Sequence, residues 1–444
     1  MKRNVIDKFI NWKNSPERKP LIVYGARQVG KTWLVNEFAN KHFKDIVTLD
    51  FFQFPEYGNI FEHGLEPEKI IKAIGIEFRK KINPADTLIF FDEIQTCQRA
   101  KDSLKYFAER APEYHIAAAG SYLGLAEGKF PVGKVDSITM YPMSFYEFLE
   151  AADRTQLLDA IKERDIKLLN SLSPLLTTML KTYFYVGGMP EVVGLFIKYD
   201  DLAKVRAKQN NLLKEYRNDF AMHLPKNSKP SIEAKIRMLW DAIPEHLARE
   251  KKKFMYKDIK TGGRASEFED ALEWLINTGL VYKVKKTFTP KIPLDSYQEK
   301  EIFKLYMLDV GLLCAKTNID ISTFYQSDNS IFSDFQGALA EQYVLQELKQ
   351  ACDNPVYYWG REKGEAEVDF VMQYKNEIIP IEVKSSRNKQ SKSLNTYIDL
   401  EKPEHAIRLS MNNYGIADNL YAVPLYMVSS LKDILERRQA PRHL

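Results

Sequence analysis

LIVYGARQVGKT, Leu21–Thr32, is the stretch on which the reading of this chain turns. LIVY is a short apolar run of strand type, and GARQVGKT satisfies G-x-x-x-x-G-K-[ST] at Gly25, Gly30, Lys31 and Thr32. The two glycines permit a tight turn whose backbone N–H groups, from Gly25 through Ala26, Arg27, Gln28 and Val29 to Gly30, converge on an anion. Lys31 reaches β- and γ-phosphates, and the Thr32 hydroxyl is a hard oxygen ligand for Mg²⁺. The segment that follows, WLVNEFANKHF, spaces Trp33, Leu34, Val35, Phe38 and Ala39 as one face of a helix. A strand, a glycine loop and a helix in that order predict a phosphate-binding loop.

The composition bounds the rest. A chain of 444 residues has room for about two to four domains. Its net charge of +4, from 64 Lys+Arg against 60 Asp+Glu, is too mild to imply a nucleic-acid partner unless basic residues cluster locally. Cys97, Cys314 and Cys352 form no C-x-x-C pair, which argues against a zinc knuckle and suits a reducing compartment. No apolar run approaches 18 residues, and MKRNVIDKFI has no signal-peptide core, so a cytoplasmic protein without membrane contact is expected.

Outward from the loop, residues 3–14 read as a helix and 45–51 as a strand; a helix is expected from Pro67 to about Lys81. DTLIFFDEIQ (86–95) is an apolar run ending in Asp92 and Glu93, the pattern of a strand that orients Mg²⁺ through Asp92 and polarises water through Glu93. A helix near 101–111 precedes YHIAAAGSYLG (114–124), whose Ser121 is a γ-phosphate sensor candidate or a helix cap. Alternating strands and helices predict a parallel sheet, with the ligand at the carboxyl ends of the strands. Lys134, in the loop that follows, is either a phosphate contact or a solvated lysine. Residues 155–250 read as almost wholly helical, with breaks at Ser173-Pro174, Gly187–Pro190 and Leu224-Pro225.

Residues 251–286 read as short helix, turn, longer helix (267–278) and strand, an order resembling a winged helix-turn-helix. Their lysines make DNA contact thinkable, while Glu267, Glu269, Asp270 and Glu273 oppose it. Near the far end, AEVDFVMQYKNEIIPIEVKSS (366–386) reads as a hairpin carrying Asp369 on one strand with Glu382 and Lys384 on the other. That is the D…E-x-K arrangement of Mg²⁺-dependent nucleases, in which carboxylates hold metal and lysine activates water. A solvent-facing charged triad is the alternative.

The order GARQVGKT, IFFDEIQ, AAGSYLG, YPMSFYEFL, GGMPEVV, LYMLDVGLL and AEVDFV…IPIEVKSS resembles a bacterial and archaeal family of AAA-type ATP-binding proteins with an uncharacterised C-terminal domain. The resemblance implies an α/β fold: an AAA-like parallel-sheet core at 1–152, a helical lid at 153–250, a winged-helix-like unit at 251–300 and a PD-(D/E)XK-like α/β domain at 301–444. It implies ATP and Mg²⁺ as cofactors. Gly25, Gly30, Lys31, Thr32 and Asp92 would serve nucleotide and metal, Glu93 water activation and Ser121 sensing; Glu341, Asp369, Glu382 and Lys384 would form the C-terminal site. No arginine finger is evident in the sequence, which leaves ring assembly and oligomeric state open. Three functions follow as expectations: an ATPase that repositions its C-terminal domain, an ATP-gated DNA nuclease, and a nucleotide-gated scaffold that does not hydrolyse ATP.

Overall fold

The computed structural model describes residues 1–120, 133–222, 224, 231–249, 252–324, 333–352, 354–385 and 391–439. Five parallel strands form the first sheet: β1 (Leu21–Tyr24), β2 (Asp45–Asp50), β3 (Thr87–Asp92), β4 (His115–Ala119) and β5 (Asp136–Thr139), in the spatial order β2-β3-β4-β1-β5. Every residue of β3 and β4 is buried, because helices cover both faces. The two-residue period of the strands sorts the side chains. Leu88, Phe90, Ala117 and Ala119 join Phe9, Leu34, Val35 and Phe38 on one side, and Ile89, Phe91, Ile116 and Ala118 join Ile70, Ile74, Leu104 and Phe107 on the other. The expected parallel sheet is therefore present. Its carboxyl edge places Gly25, Asp92 and Gly120 side by side in the strand order.

Helices dominate 145–248. The helix Ile166–Val186 passes through Pro174, where the sequence suggested a break. An interior proline costs about 3 kcal/mol, but the face bearing Leu169, Leu176, Leu180 and Tyr183 is buried, and continuing the helix keeps that face in the core. The break at Gly187–Met189 does occur, and Pro190 opens the next helix, Pro190–Tyr199, at its first position. Pro225 lies outside the described residues.

Beyond these come helices Ile232–Ala248, Tyr256–Ile259 and Ala265–Asn277, then β6 (Val281–Thr287) and β7 (Gln298–Met307). With β8 (Val356–Gly360), β9 (Glu367–Tyr374), β10 (Glu377–Val383), β11 (Ala406–Ser410), β12 (Gly415–Ala417) and β13 (Leu420–Pro424) they build one mixed sheet in the order β12-β13-β11-β10-β9-β8-β6-β7. Position 300 thus falls inside β7, and the hairpin β6–β7 joins the C-terminal sheet through Lys286↔Tyr358 and Thr287↔Trp359. The helix Lys392–Glu401 covers one face, with Tyr397 edge-on to Trp359 at 5.1 Å. The helix Ser333–Ala351 binds the C-terminal half to the first sheet's domain: Glu347 accepts from the Phe145 N–H at 2.8 Å, and Gln350 donates to the Pro142 carbonyl at 2.8 Å. Among the described residues no helix is long and apolar enough to cross a membrane.

Candidate functional site

Gly25 leaves β1 at φ 146°, and a Cβ there would stand 2.5 Å from the Met140 carbonyl oxygen, so only glycine fits this turn. Gly30 closes the loop and caps the helix Lys31–His42 in a left-handed conformation. That helix has no side-chain cap and no acid in its first turn, which leaves its positive end turned to the loop. Lys31 is folded back, donating to the carbonyls of Gly25 and Ala26 at 2.8 Å each. Burial lowers its pKa to about 8; the charges of Glu93 and Asp92 oppose that shift, and Arg27 adds to it. Thr32 Oγ1 donates to Asp92 Oδ2 at 2.8 Å. Burial raises Asp92 to about 6 against the pull of that hydrogen bond. Glu93 takes a left-handed backbone, φ 49°, directly after the strand, and its carboxylate accepts from Gln95.

The loop is held from four sides that sequence reading did not reveal. Arg3, only 4% exposed, donates to the Val29 carbonyl at 3.0 Å and the Tyr141 carbonyl at 2.7 Å, and it pairs with buried Glu147 at 3.2 Å. From the helix Leu202–Met222, Tyr216 donates to the Arg27 carbonyl at 2.9 Å, Asp219 pairs with Arg27, and Glu215 accepts from Gln28 at 3.0 Å. Pro190, at the Gly187–Pro190 corner, lies 3.6 Å from where a Gly30 Cβ would stand. Gly279, after the helix Ala265–Asn277, sits against Ala26, whose N lies 3.4 Å from where a Gly279 Cβ would stand. Apart from Arg3–Val29, these contacts join residues well over a hundred positions apart and have no local signature. Ser121 lies outside the described residues. Lys134 pairs with Glu109 at 2.9 Å in an exposed position, away from the phosphate role considered for it.

Oxygen ligands of the right chemistry for Mg²⁺ stand together at Thr32 and Asp92, hard donors 2.8 Å apart beside the loop. The C-terminal group is differently occupied. Glu341, Asp369, Glu382 and Lys384 do converge, from the helix Ser333–Ala351, β9 and the end of β10. Each carboxylate, however, is already engaged. Glu341 pairs with Lys252 and accepts from Tyr306 OH at 3.1 Å. Asp369 accepts from the Val383 N–H at 2.8 Å, and Glu382 pairs with Lys384, leaving Glu382 Oε2 buried without a partner. Burial and the charges of Glu341 and Glu382 push Asp369 well above the ordinary carboxylate range. Burial opposes ionisation of Glu341 too, but Lys252 and Lys304 outweigh it and hold Glu341 low. The lysine charges thus favour ionised Glu341, while Asp369 sits between two like charges that disfavour its own ionisation. Among the described residues these three do not bring ligand atoms within 4.8 Å of one another, whereas Glu377, Glu404 and His405 do. In the latter group His405 Nδ1 already bonds both Glu377 oxygens at 2.8 Å.

The β2-β3-β4-β1-β5 sheet with the glycine loop at its carboxyl edge defines a P-loop ATPase-type fold. Residues 17–149 match the family model described as an AAA domain, so the chain carries such a domain over that stretch. Residues 177–323 and 336–428 match two models described as domains of unknown function. An uncharacterized protein of Methanocaldococcus jannaschii is 24% identical over 410 residues, 89% of this chain and 81% of that protein. Among solved structures, a Walker-type ATPase of Pyrococcus abyssi is similar at 14% identity and a TM-score of 0.44, over 71% of this chain and 95% of that one. AMPPCP-bound DnaA from Aquifex aeolicus is similar at 15% identity and a TM-score of 0.27, over 61% of this chain and 86% of that one.

Proposed function

We propose that the protein is a Mg²⁺-dependent ATPase of AAA type that uses the nucleotide to reposition its C-terminal half. The observation that carries this reading is the 2.8 Å hydrogen bond from Thr32 Oγ1 to Asp92 Oδ2 beside Lys31, which joins the phosphate loop to the end of β3. ATP phosphates displace the Gly25 and Ala26 carbonyls from the Lys31 ammonium, and the uncapped helix end at Gly30 adds its N–H groups. Bound Mg²⁺ supplies neutralisation of the phosphoryl oxygens. Glu93 orients the attacking water and takes its proton. Because Arg27 and Gln28 are tied to Asp219 and Glu215, any rearrangement of the loop pulls on the helix Leu202–Met222. Lys31→Ala removes the phosphate contact, so a fluorescent ATP analogue that binds the wild type should no longer bind this variant; unchanged affinity would refute the assignment.

A second reading, an ATP-gated nuclease, is supported by the convergence of Asp369, Glu382 and Lys384. As arranged the set does not fit a divalent cation, since Glu341 and Glu382 are turned to Lys252 and Lys384 and the three carboxylates do not bring ligand atoms within 4.8 Å of one another, and no cleavage step is derived through it. Incubation with linear, circular and single-stranded DNA plus Mg²⁺ or Mn²⁺ decides. Cleavage lost in Lys384→Ala would favour the nuclease, and no cleavage would leave this half as a scaffold, with DNA or protein as its partner.

A further inference from the structure

Lys349 lies near the end of the helix Ser333–Ala351, more than 300 positions beyond the glycine loop. Yet it lines a cavity of about 230 Å³ together with Tyr24 and Gly25 at the end of β1, Gly120 at the end of β4, and Thr278 and Gly279. It also lines the neighbouring cleft of about 700 Å³, which runs between the AAA domain and the C-terminal half past Arg3, Thr139 and Tyr141. Its helix is anchored on either side of it: Gln350 donates to the Pro142 carbonyl at 2.8 Å and Glu347 accepts from the Phe145 N–H at 2.8 Å. Lys349 is therefore held at the wall of this cavity by an anchored helix.

Among the described residues Lys349 has no ion pair and no hydrogen bond, which sets it apart from the other cations near the loop. Arg3 is satisfied by Glu147 and two carbonyls, Arg27 by Asp219, and Lys31 by Gly25 and Ala26. Burial alone acts on Lys349 and lowers its pKa. A mostly buried ammonium without a counter-charge is costly, and an arriving anion relieves that cost. The cavity borders Gly25, which opens the phosphate loop, and Gly120, which follows the strand between β1 and the Asp92-bearing β3, so the anion its position suits is a phosphate of a nucleotide held by that loop.

We propose that Lys349 is a nucleotide-sensing residue, a cation supplied by the C-terminal half to the terminal phosphate of a nucleoside triphosphate held at Gly25–Thr32. The proposal rests on the nucleotide-binding reading above. It supplies a direct route between the two halves: the helix Ser333–Ala351, already anchored on the AAA domain, gains through Lys349 a contact with triphosphate that diphosphate does not make.

The test uses the full chain and its Lys349→Met and Lys349→Arg variants, with fluorescent ATP and ADP analogues titrated in the presence of Mg²⁺. A charge-assisted contact to phosphate is worth roughly tenfold to a hundredfold in affinity. Lys349→Met should therefore weaken triphosphate binding at least about tenfold while changing diphosphate binding little, and Lys349→Arg should restore most of the difference. Melting without nucleotide separates sensing from scaffolding: Lys349→Met should melt no lower than the wild type, since it removes an unpaired buried charge. The proposal is overturned if Lys349→Met binds the triphosphate as the wild type does, or if both nucleotides weaken equally and melting falls. A wild type that binds neither nucleotide refutes the nucleotide reading itself, and this inference with it.

Discussion

Replacing Arg3 by Met keeps the aliphatic stem and removes the charge and the guanidinium donors that fasten Val29 of the phosphate loop to Tyr141 and Glu147. The structure sets the scale. Arg3 and Glu147 are 4% and 2% exposed, and the guanidinium also serves the carbonyls of Val29 and Tyr141. Breaking a buried ion pair from one side costs about 3–5 kcal/mol, because the remaining charge stays buried. Glu147 keeps its hydrogen bonds from the Ser144 N–H at 2.9 Å and the Asn4 N–H at 2.6 Å, which places the cost at the low end, about 3 kcal/mol. In a unit of 150–250 residues each kcal/mol lowers melting by about 2–4 °C, so Arg3→Met should melt roughly 6–12 °C below the wild type. The assay is thermal unfolding at fixed pH and ionic strength, run on Arg3→Met, Glu147→Gln and the double variant. Neutralising both partners removes the stranded charge, and the double variant should recover part of the loss, with a coupling of about 0.5–3 kcal/mol. Additive single effects, or a loss in Arg3→Met below about 1 kcal/mol, would refute the buried-pair reasoning.

Other perturbations probe the remaining contacts. Burial raises Glu347 from the usual carboxylate range to about 7, in a site where it faces Glu147, the Phe145 N–H and Ser429. The folded protein then holds a proton that the unfolded chain releases above about pH 4.5, so stability falls as pH rises from about 4.5 to 7 and levels off beyond. Glu347→Gln should flatten that slope and stabilise the protein above pH 7 by on the order of 3 kcal/mol, read from denaturant midpoints; an unchanged slope would contradict it. Gly187, at φ 75°, has Asp309 Oδ1 2.2 Å from where a Cβ would stand. Gly187→Ala should therefore lower the melting temperature and release the Gly188 N–H from Asp309, and wild-type melting would show that the corner is not needed.

The loop, the strand ending in Asp92-Glu93 and the alternation that builds the first sheet were all legible in the sequence, because each is a local pattern of glycines, apolar runs and strand-end acids. Burial on both faces made β3 and β4 continuous apolar runs. What escaped was non-local. Pro174 reads as a stop, and only the packing of Leu176, Leu180 and Tyr183 in the core shows why the helix continues. The join of β6 to β8 is parallel pairing between residues some 70 positions apart, with no turn to announce it. Arg3, Tyr216 and Asp219 are ordinary residues in their own segments and acquire meaning only against Val29 and Arg27. Asp369, Glu382 and Lys384 were found by their spacing, but Lys252 and Tyr306, which engage Glu341, come from other segments and change what the group can do.

The central claim is that ATP is hydrolysed at the loop with Glu93 as base, and release of inorganic phosphate from ATP and Mg²⁺ by the full chain tests it most directly. The wild type should turn ATP over, and Glu93→Gln should retain nucleotide binding while losing about 10²-fold or more in rate. Phosphate release by Glu93→Gln at the wild-type rate, or none from a wild type that binds ATP, would contradict it.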